Sequence, residues 1–291
     1  MQEVTIILPV YNRAAYLARL FRSLEGVTYE ALRVILVDNG STDDSLLLCR
    51  QFAEQSHLQV DVIVEPRKGA ARARNAGLKA CQTEWCYFFD SDDEVSSDFL
   101  DEVVPLLTGH DVVFMPTRMI VGEHGVVRSY KDTLATSYQI LSSMLCTPST
   151  LYRTEWLRCI GGWDDSLTVW DDWELGVRVL LARPRAVWYT RKVFHRLYVH
   201  DESITGPSMQ HNLKGKVACL EQVRRQLKDR RDLKALYLRT KIFEGYLRKE
   251  GYQEKIHVMD APNLMCKLCG AFLRLYVRCG GKGAWWMATM M

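Results

Sequence analysis

Three short apolar runs in this chain each end in a cluster of polar residues, and that pattern leaves few folds open. Val4–Val10 leads into Tyr11-Asn12-Arg13. Arg33–Val37 leads into Asp38-Asn39-Gly40-Ser41-Thr42-Asp43, and Trp85–Phe89 into Asp90-Ser91-Asp92-Asp93. Short, nearly continuous apolar runs suit strands buried on both faces. Between them lie stretches with helical spacing. Leu17, Leu20, Phe21 and Leu24 mark one. Leu46, Leu47 and Phe52 mark the next, where Gly40 permits a tight turn and Ser41 or Thr42 is expected to cap the helix. Val60, Val62 and Val64 alternate as a further strand, and Gly69 to Cys81 reads as an Ala- and Arg-rich helix with only Gly77 against it. Ser96 or Ser97 is expected to cap a helix bearing Phe99, Leu100, Val103, Val104 and Leu107. Strand and helix alternating in short units imply an α/β fold: a mostly parallel sheet, flanked by helices, with right-handed crossovers. Ligands of such sheets bind beyond the carboxyl ends of the strands. The clusters at 9–13, 38–43 and 90–93 are therefore expected to converge on one crevice.

After Asp111–Met115 the pattern loosens. Strands are expected around 126–130, 149–152, 186–189 and 193–199, with a helix from Asp171 to Ala182. Asn212 to Gly251 reads as helical and rich in Lys and Arg, and from Ala261 onward there is no acidic residue. We expect a main domain over 1–210, with a first half to about 115 and a second half over 116–210. A helical, basic extension follows over 211–291. The 291 residues are 48% hydrophobic and 25% charged, enough for a substantial core, and exclude disorder, collagen and coiled coil. A formal net charge of +3 gives no global basic field, so no nucleic-acid partner is expected. Met1-Gln2-Glu3 carries no basic leader and no run reaches the ~20 apolar residues of a membrane span. Nine scattered cysteines point to reduced thiols in a cytoplasm, and Cys266 and Cys269, without a second pair, to helix packing.

Asp90, Asp92 and Asp93 at the end of a buried strand repel one another unless a cation sits among them, and hard oxygen donors suit Mg²⁺ or Mn²⁺. The alternative is a solvated acidic turn. A second acidic pair, Asp171-Asp172, opens a helix between Trp170 and Trp173, just after Gly161-Gly162-Trp163-Asp164. Flanking indoles could raise such a carboxylate towards general-base range, or the pair could simply complement the helix dipole. Arg72 and Arg74, following Arg67 and Lys68, could meet a diphosphate or form a solvated basic face. Neither G-x-G-x-x-G nor a P-loop is present, so charge and metal must hold any nucleotide phosphates.

Ile7-Leu8-Pro9-Val10-Tyr11-Asn12-Arg13, Val37–Asp43, Ala73-Arg74-Asn75-Ala76-Gly77 and Asp90–Asp93, followed by Gly161–Asp164 and Asp171–Leu175, resemble in order and spacing glycosyltransferase family 2. The resemblance covers roughly residues 3 to 205. It implies a Rossmann-like GT-A fold, a nucleoside-diphosphate sugar donor (commonly UDP-linked), a divalent cation and inversion at the anomeric carbon. By position, Pro9, Tyr11 and Asp38 would line the nucleoside pocket, with Asn12, Arg13 and Arg74 nearby. Asp90 and Asp92 would form the D-x-D, Asp92 as direct metal ligand, and Asp93 would support the site or meet the sugar. Asp172 matches the catalytic base, with Asp171, Gly162 and Trp163 on the substrate side and Glu174 and Arg178 organising the helix behind it. His200 sits where many relatives carry a His near the diphosphate. Asn39 departs from the Asp of many members. The acceptor would be a hydroxyl of a glycan or lipid-linked molecule, as in bacterial surface-polysaccharide assembly. Two rival readings are a non-catalytic nucleotide-sugar scaffold and a glycosidase using Asp92 and Asp172. The segment from Leu264 to Trp286 reads as a basic amphipathic helix. It would either lie on an anionic membrane surface, making the protein peripheral on the inner membrane face, or dock on the core.

Overall fold

The structure, a computed structural model, describes residues 1–121, 124–128, 133–198 and 208–291. Its described residues form two compact units, one of 1–132, 145–166 and 184–200, the other of 133–144, 167–183 and 201–291. The units interleave along the chain rather than following one another.

The first unit holds the strands β1 (Val4–Val10), β2 (Leu32–Asp38), β3 (Gln59–Val64), β4 (Trp85–Phe88), β5 (Val112–Phe114), β6 (Thr117–Val121), β7 (His124–Arg128), β8 (Thr150–Arg153), β9 (Ala186–Trp188) and β10 (Phe194–Tyr198). It also holds the helices α1 (Ala14–Glu25), α2 (Ser45–Gln55), α3 (Ala70–Ala80), α4 (Phe99–Val103) and α6 (Thr154–Cys159). Seven strands make one sheet in the order β3-β2-β1-β4-β8-β5-β9, parallel except for β8, which runs against both its neighbours. Strands β10, β6 and β7 form a small second sheet. The expected α/β architecture is therefore present, and β2, β1 and β4 lie side by side with their carboxyl ends on one edge. Chain order reverses across β1 and β4, the kind of switch point where open α/β sheets bind ligands.

The apolar runs are buried as strands covered on both faces must be: Val4, Ile6, Ile7, Leu8, Val34, Leu36 and Phe88 are inaccessible to solvent. Gly77 costs α3 helix propensity but lets it approach the sheet, since a Cβ there would lie 2.3 Å from Ile7 Cγ2.

Several local expectations are corrected. Neither Ser41 nor Thr42 caps α2, which begins at Ser45 with the Asp43 carboxylate accepting the Ser45 N–H. Ser41 Oγ instead accepts the Asn12 N–H, and Thr42 donates to Asn12 Oδ1. Ser96 likewise does not cap α4: its Oγ accepts the His195 N–H at 2.6 Å, and its N–H donates to His195 Nδ1. In both cases cross-links between strand ends claim the hydroxyl. The helix expected through Val104 and Leu107 ends at Val103, where Pro105 cannot supply an N–H and the chain tightens into a 3₁₀ turn. The strands expected at 126–130 and 193–199 are β7 and β10; residues 129, 130 and 199 lie outside the described ones.

The second unit is helical: α5 (Thr136–Ser142), α7 (Asp171–Leu181), α8 (Leu213–Gln226), α9 (Arg230–Lys249), α10 (Leu264–Arg278) and α11 (Ala284–Met290). The stretch from 212 to 251, expected to be helical, folds as the two helices α8 and α9. Asp229 starts the second by accepting the N–H groups of Arg231 and Asp232. Ile140, Trp173, Val177, Leu220, Leu236, Phe243 and Leu273 make its core. All nine cysteines are free, five of them buried, and Cys266 faces that core.

His195 lies inside the first unit with φ near +55°, ringed by Tyr87, Phe89 and Phe99 at 4.7–5.6 Å between centroids. Burial pulls its pKa down to about 3, against a weak opposing pull from Asp98. The unfolded chain therefore takes a proton near pH 6.5 that the folded chain refuses, so stability falls as pH drops from 6.5 towards 3. The slope from this residue is about 1.4 kcal/mol per pH unit. Urea midpoints measured at pH 7.5 and 5.0 should show His195→Asn losing less stability on acidification than the parent chain; equal losses would exclude His195 as the acid-sensitive group.

Candidate active site

The polar clusters do meet at the shared edge of β2, β1 and β4. Asn12, in the left-handed region (φ +51°), follows β1 and is stitched to the β2 loop: its Oδ1 accepts the Thr42 N–H at 2.8 Å. The Arg13 N–H donates to Ser45 Oγ and the Ala14 N–H to Asp43 Oδ2. Asp38 ends β2 and is buried. Its Oδ2 accepts the N–H groups of Gly40 and Ser41, while Oδ1 has no hydrogen-bond partner among the described residues. An unmet, buried carboxylate oxygen is costly unless something donates to it. Pro9 precedes this edge within β1, and Tyr11 is exposed beside it, its hydroxyl accepting from Lys68 Nζ, which also lies over its ring.

The loop after β4 concentrates charge. Arg74, buried on α3, donates to Asp90 Oδ1 at 2.9 Å, and Arg13 Nε lies 3.4 Å from Asp92 Oδ2. Asp93 is buried and accepts the Tyr198 N–H at 2.7 Å. Burial, with the negative Asp90 and Asp92 alongside, pushes the Asp93 carboxyl up to about 9, so it holds a proton at neutral pH. The Arg19 guanidinium donates to the Asp92 carbonyl and stacks 3.9 Å from the Tyr198 ring centroid, fixing the loop against β10. Three adjacent carboxylates are thus tolerated by two different means, arginine pairing and protonation.

Gly161–Asp164 belongs to the same unit. Trp163 is buried with its ring 4.4 Å from the Arg74 guanidinium and edge-on to Phe88. Asn75 clamps the Trp163 backbone, donating to its carbonyl at 2.8 Å and accepting its N–H at 2.9 Å. Gly162 has φ +61° and a Cβ there would sit 2.7 Å from Asn75 Oδ1, so only glycine fits the clamp. Gly162 and Trp163 therefore back the side chain that pairs with Asp90. Asn39 explains its own departure from Asp. Its amide donates to the carbonyls of Glu65 and Arg67 and accepts the Gly69 N–H, holding the β3–α3 connection. A carboxylate cannot donate those two bonds.

In the second unit Asp171 and Asp172 open α7, whose preceding Trp170 is in the left-handed region (φ +60°). Asp172 Oδ1 accepts the Trp173 N–H at 2.7 Å. Glu174, fully buried, holds Arg178 by two hydrogen bonds and accepts from Gln226 on α8. Arg239 on α9 carried no signal in the sequence beyond being a lone cation on a buried apolar helix face. Its guanidinium lies 4.3–5.1 Å from the rings of Trp170, Trp173 and Trp285 and donates to the Ile140 carbonyl. Burial lowers it to about 10, with the negative Asp172 partly offsetting the loss, so it stays a cation at neutral pH. His200 lies outside the described residues.

A mostly parallel sheet carrying carboxylates at the carboxyl ends of its central strands is the architecture of GT-A glycosyltransferases. Over residues 5–161, more than half its length, the chain matches glycosyl transferase family 2, and it belongs to that family. It is similar to the pre-mycofactocin glycosyltransferase of Mycobacterium tuberculosis, 31% identical over 200 residues, 63% of this chain and 40% of the relative. It also resembles the poly(ribitol-phosphate) beta-N-acetylglucosaminyltransferase TarS of Staphylococcus aureus, 27% identical over 165 residues, 54% of this chain and 29% of TarS. The matched segments thus span less than half of these curated relatives. The crystal structure of TarS 1-349 superposes with a TM-score of 0.68 at 20% identity, covering 95% of this chain and 80% of that one. The mannosyltransferase PcManGT from Pyrobaculum calidifontis, solved with GDP-Man and Mn²⁺, gives 0.64 at 19% identity, covering 99% and 86%.

If the Asn39 amide is what the β3–α3 connection requires, Asn39→Asp should lower stability by about 2–4 kcal/mol, because a buried carboxylate would face two carbonyls. The shift of the urea midpoint at pH 7.5 checks this; a shift below about 0.5 kcal/mol would show the amide is dispensable.

Proposed function

We propose that the protein is a divalent-metal-dependent, inverting glycosyltransferase. It moves a sugar from a nucleoside-diphosphate donor, UDP-linked, to a hydroxyl of a glycan or lipid-linked acceptor in bacterial surface-polysaccharide assembly. The observation that carries the reading is the placement of Asp38, Asp90 and Asp92 at the carboxyl ends of β2 and β4, the two strands that flank β1, with one Asp38 oxygen unmet. TarS has been solved in complex with UDP and with UDP-GlcNAc, which supports uridine as the base. Nine cysteines with no disulfide among them suit a reducing compartment, and we read the enzyme as cytoplasmic.

Among the described residues no group of three or more His, Cys, Asp and Glu forms a closed metal cage. Mg²⁺ and Mn²⁺ do not need one, since they commonly take one or two carboxylates, substrate phosphates and water. Asp90 and Asp92 fit that donor set, and Asp92 would be the direct ligand. Asp93, protonated, would not add a third charge. When bound, the ion supplies Lewis-acid stabilisation of the departing diphosphate.

This chain's residues do the rest. Asp38 and Tyr11, beside Pro9 and Asn12, receive the nucleoside. Arg13 and Arg74 hold Asp92 and Asp90 in place for the diphosphate. Asp172 takes the proton from the acceptor hydroxyl as it attacks the anomeric carbon from the face opposite the leaving group. Asp171, its neighbour in sequence, would contact the substrate. No covalent nucleophile is required, and the transition state has oxocarbenium character, as in glycoside hydrolysis.

Asp172→Asn should keep donor binding and lose about 10²–10⁴-fold in kcat; an unchanged kcat would remove Asp172 from the reaction. Calorimetric titration with UDP, GDP and dTDP, each with and without Mn²⁺, should give tight binding of UDP only with the metal, and Asp92→Ala should abolish the metal dependence. Failure of all three nucleotides to bind the folded chain would overturn the donor assignment, and donor binding without sugar transfer would favour the nucleotide-sugar scaffold.

A further inference from the structure

Helix α10 has two apolar faces. Cys266, Gly270, Leu273 and Val277 are buried against the second unit's core. The docking is close: a Cβ on Gly270 would lie 2.7 Å from Tyr237 Cε1, and one on Gly245 of α9 would lie 2.9 Å from the Arg274 carbonyl. The helix is thereby fixed in rotation, and what it turns outward is defined. At 3.6 residues per turn, Leu264, Leu268 and Leu275 lie on one line, with Met265 and Phe272 beside them. This line is opposite the buried face, and all five side chains are exposed, Leu264 at 72% and Leu268 at 58%. A solvent-facing stripe of this kind marks an interaction surface.

The charge around the stripe says what kind of surface it meets. Lys267, Arg274 and Arg278 run along one flank of the same helix, and Lys282 follows it. Arg274 also pairs with Glu244 of α9 at 3.4 Å. From Ala261 to Met291 there is no acidic residue. A second copy pairing through this stripe would bring two sets of cations together with no acid in the segment to balance them. An anionic bilayer surface would accept both the apolar stripe and the flanking cations, whose long stems can lie along the acyl boundary while their charges reach the headgroups. Trp286 and Met290 of α11 are also exposed. Among the described residues no helix is long and apolar enough to cross a membrane.

We infer that the outward face of α10 docks this protein in the plane of an anionic lipid surface, the helix keeping its contact with the core. The sequence alone left core docking and membrane contact as alternatives; the two faces of α10 allow both at once. The inference stands apart from the proposed chemistry, because none of these residues belongs to the candidate site.

The full chain would be sedimented with vesicles of phosphatidylcholine and phosphatidylglycerol at a 1:1 ratio, with phosphatidylcholine vesicles, and with mixed vesicles at high salt. Binding to mixed vesicles should exceed the other two at least tenfold. Leu268→Glu with Phe272→Glu, both exposed positions, should lose that binding at least tenfold while circular dichroism and the urea midpoint stay unchanged. Equal sedimentation of parent and double variant, or no sedimentation of the parent, would overturn the proposal. So would light scattering that shows a dimer of the parent dissociated by the same substitutions, which would assign the face to a second copy.

Discussion

Asp90, Asp92 and Asp93 cannot all be negative and bare in so small a volume, and much of the first unit is arranged around that constraint. Arg74 must be on α3 at the height of Asp90, which sets how α3 lies on the sheet and makes Gly77 necessary one turn later. Trp163 must lie beside Arg74, which requires the Asn75 clamp and a glycine at 162. Arg13 must reach Asp92, and it is positioned by the same stitching of the β1 and β2 loops that leaves Asp38 at the edge. Asp93 is relieved differently, by keeping its proton, so the loop carries two negative charges and not three at neutral pH. Arginine pairs hold the other two ready for a ligand without collapse of the loop.

The sheet and the edge where its polar clusters meet were legible because they rest on local pattern. Val4–Val10 and Trp85–Phe89 can be little else than buried strands, and parallel connection forces their polar ends together. The reversed direction of β8 was not legible, since Thr150–Arg153 reads alike in either orientation. Helix starts failed where a hydroxyl had a better offer from across the fold. Ser41 serves Asn12 and Ser96 serves His195, and these partners lie 29 and 99 residues away. Asn39 looked like a departure from a binding residue and proves to be a backbone bridge that needs an amide. Arg239 was invisible because its value comes from three indoles that the sequence scatters between 170 and 285. His200 lies outside the described residues.

The two acidic sites differ in how they are held. At the strand edge the carboxylates are fixed by arginines of the same sheet and its helices. In the helical unit Asp172 accepts the Trp173 N–H, Arg239 lies over the rings of Trp170 and Trp173, and the helix is tied down by Glu174, Arg178 and Gln226. The spacing within each motif therefore serves a local requirement, while the cations that stabilise it come from elsewhere in the chain. That division lets the C-terminal helices be structural partners of a motif lying far upstream, and not a separate appendage.

The interleaving of the two units has a consequence for the chain as it leaves the ribosome. Ile140, Trp173 and Val177 are synthesised long before Leu236, Phe243 and Leu273, the residues that bury them. Until the last helices emerge, two apolar segments inserted between strands of the first unit have no covering, and each is an opening for aggregation or chaperone capture. The order of translation thus works against the second unit. Its completion, not that of the sheet, is the step at which the nascent protein stops being vulnerable.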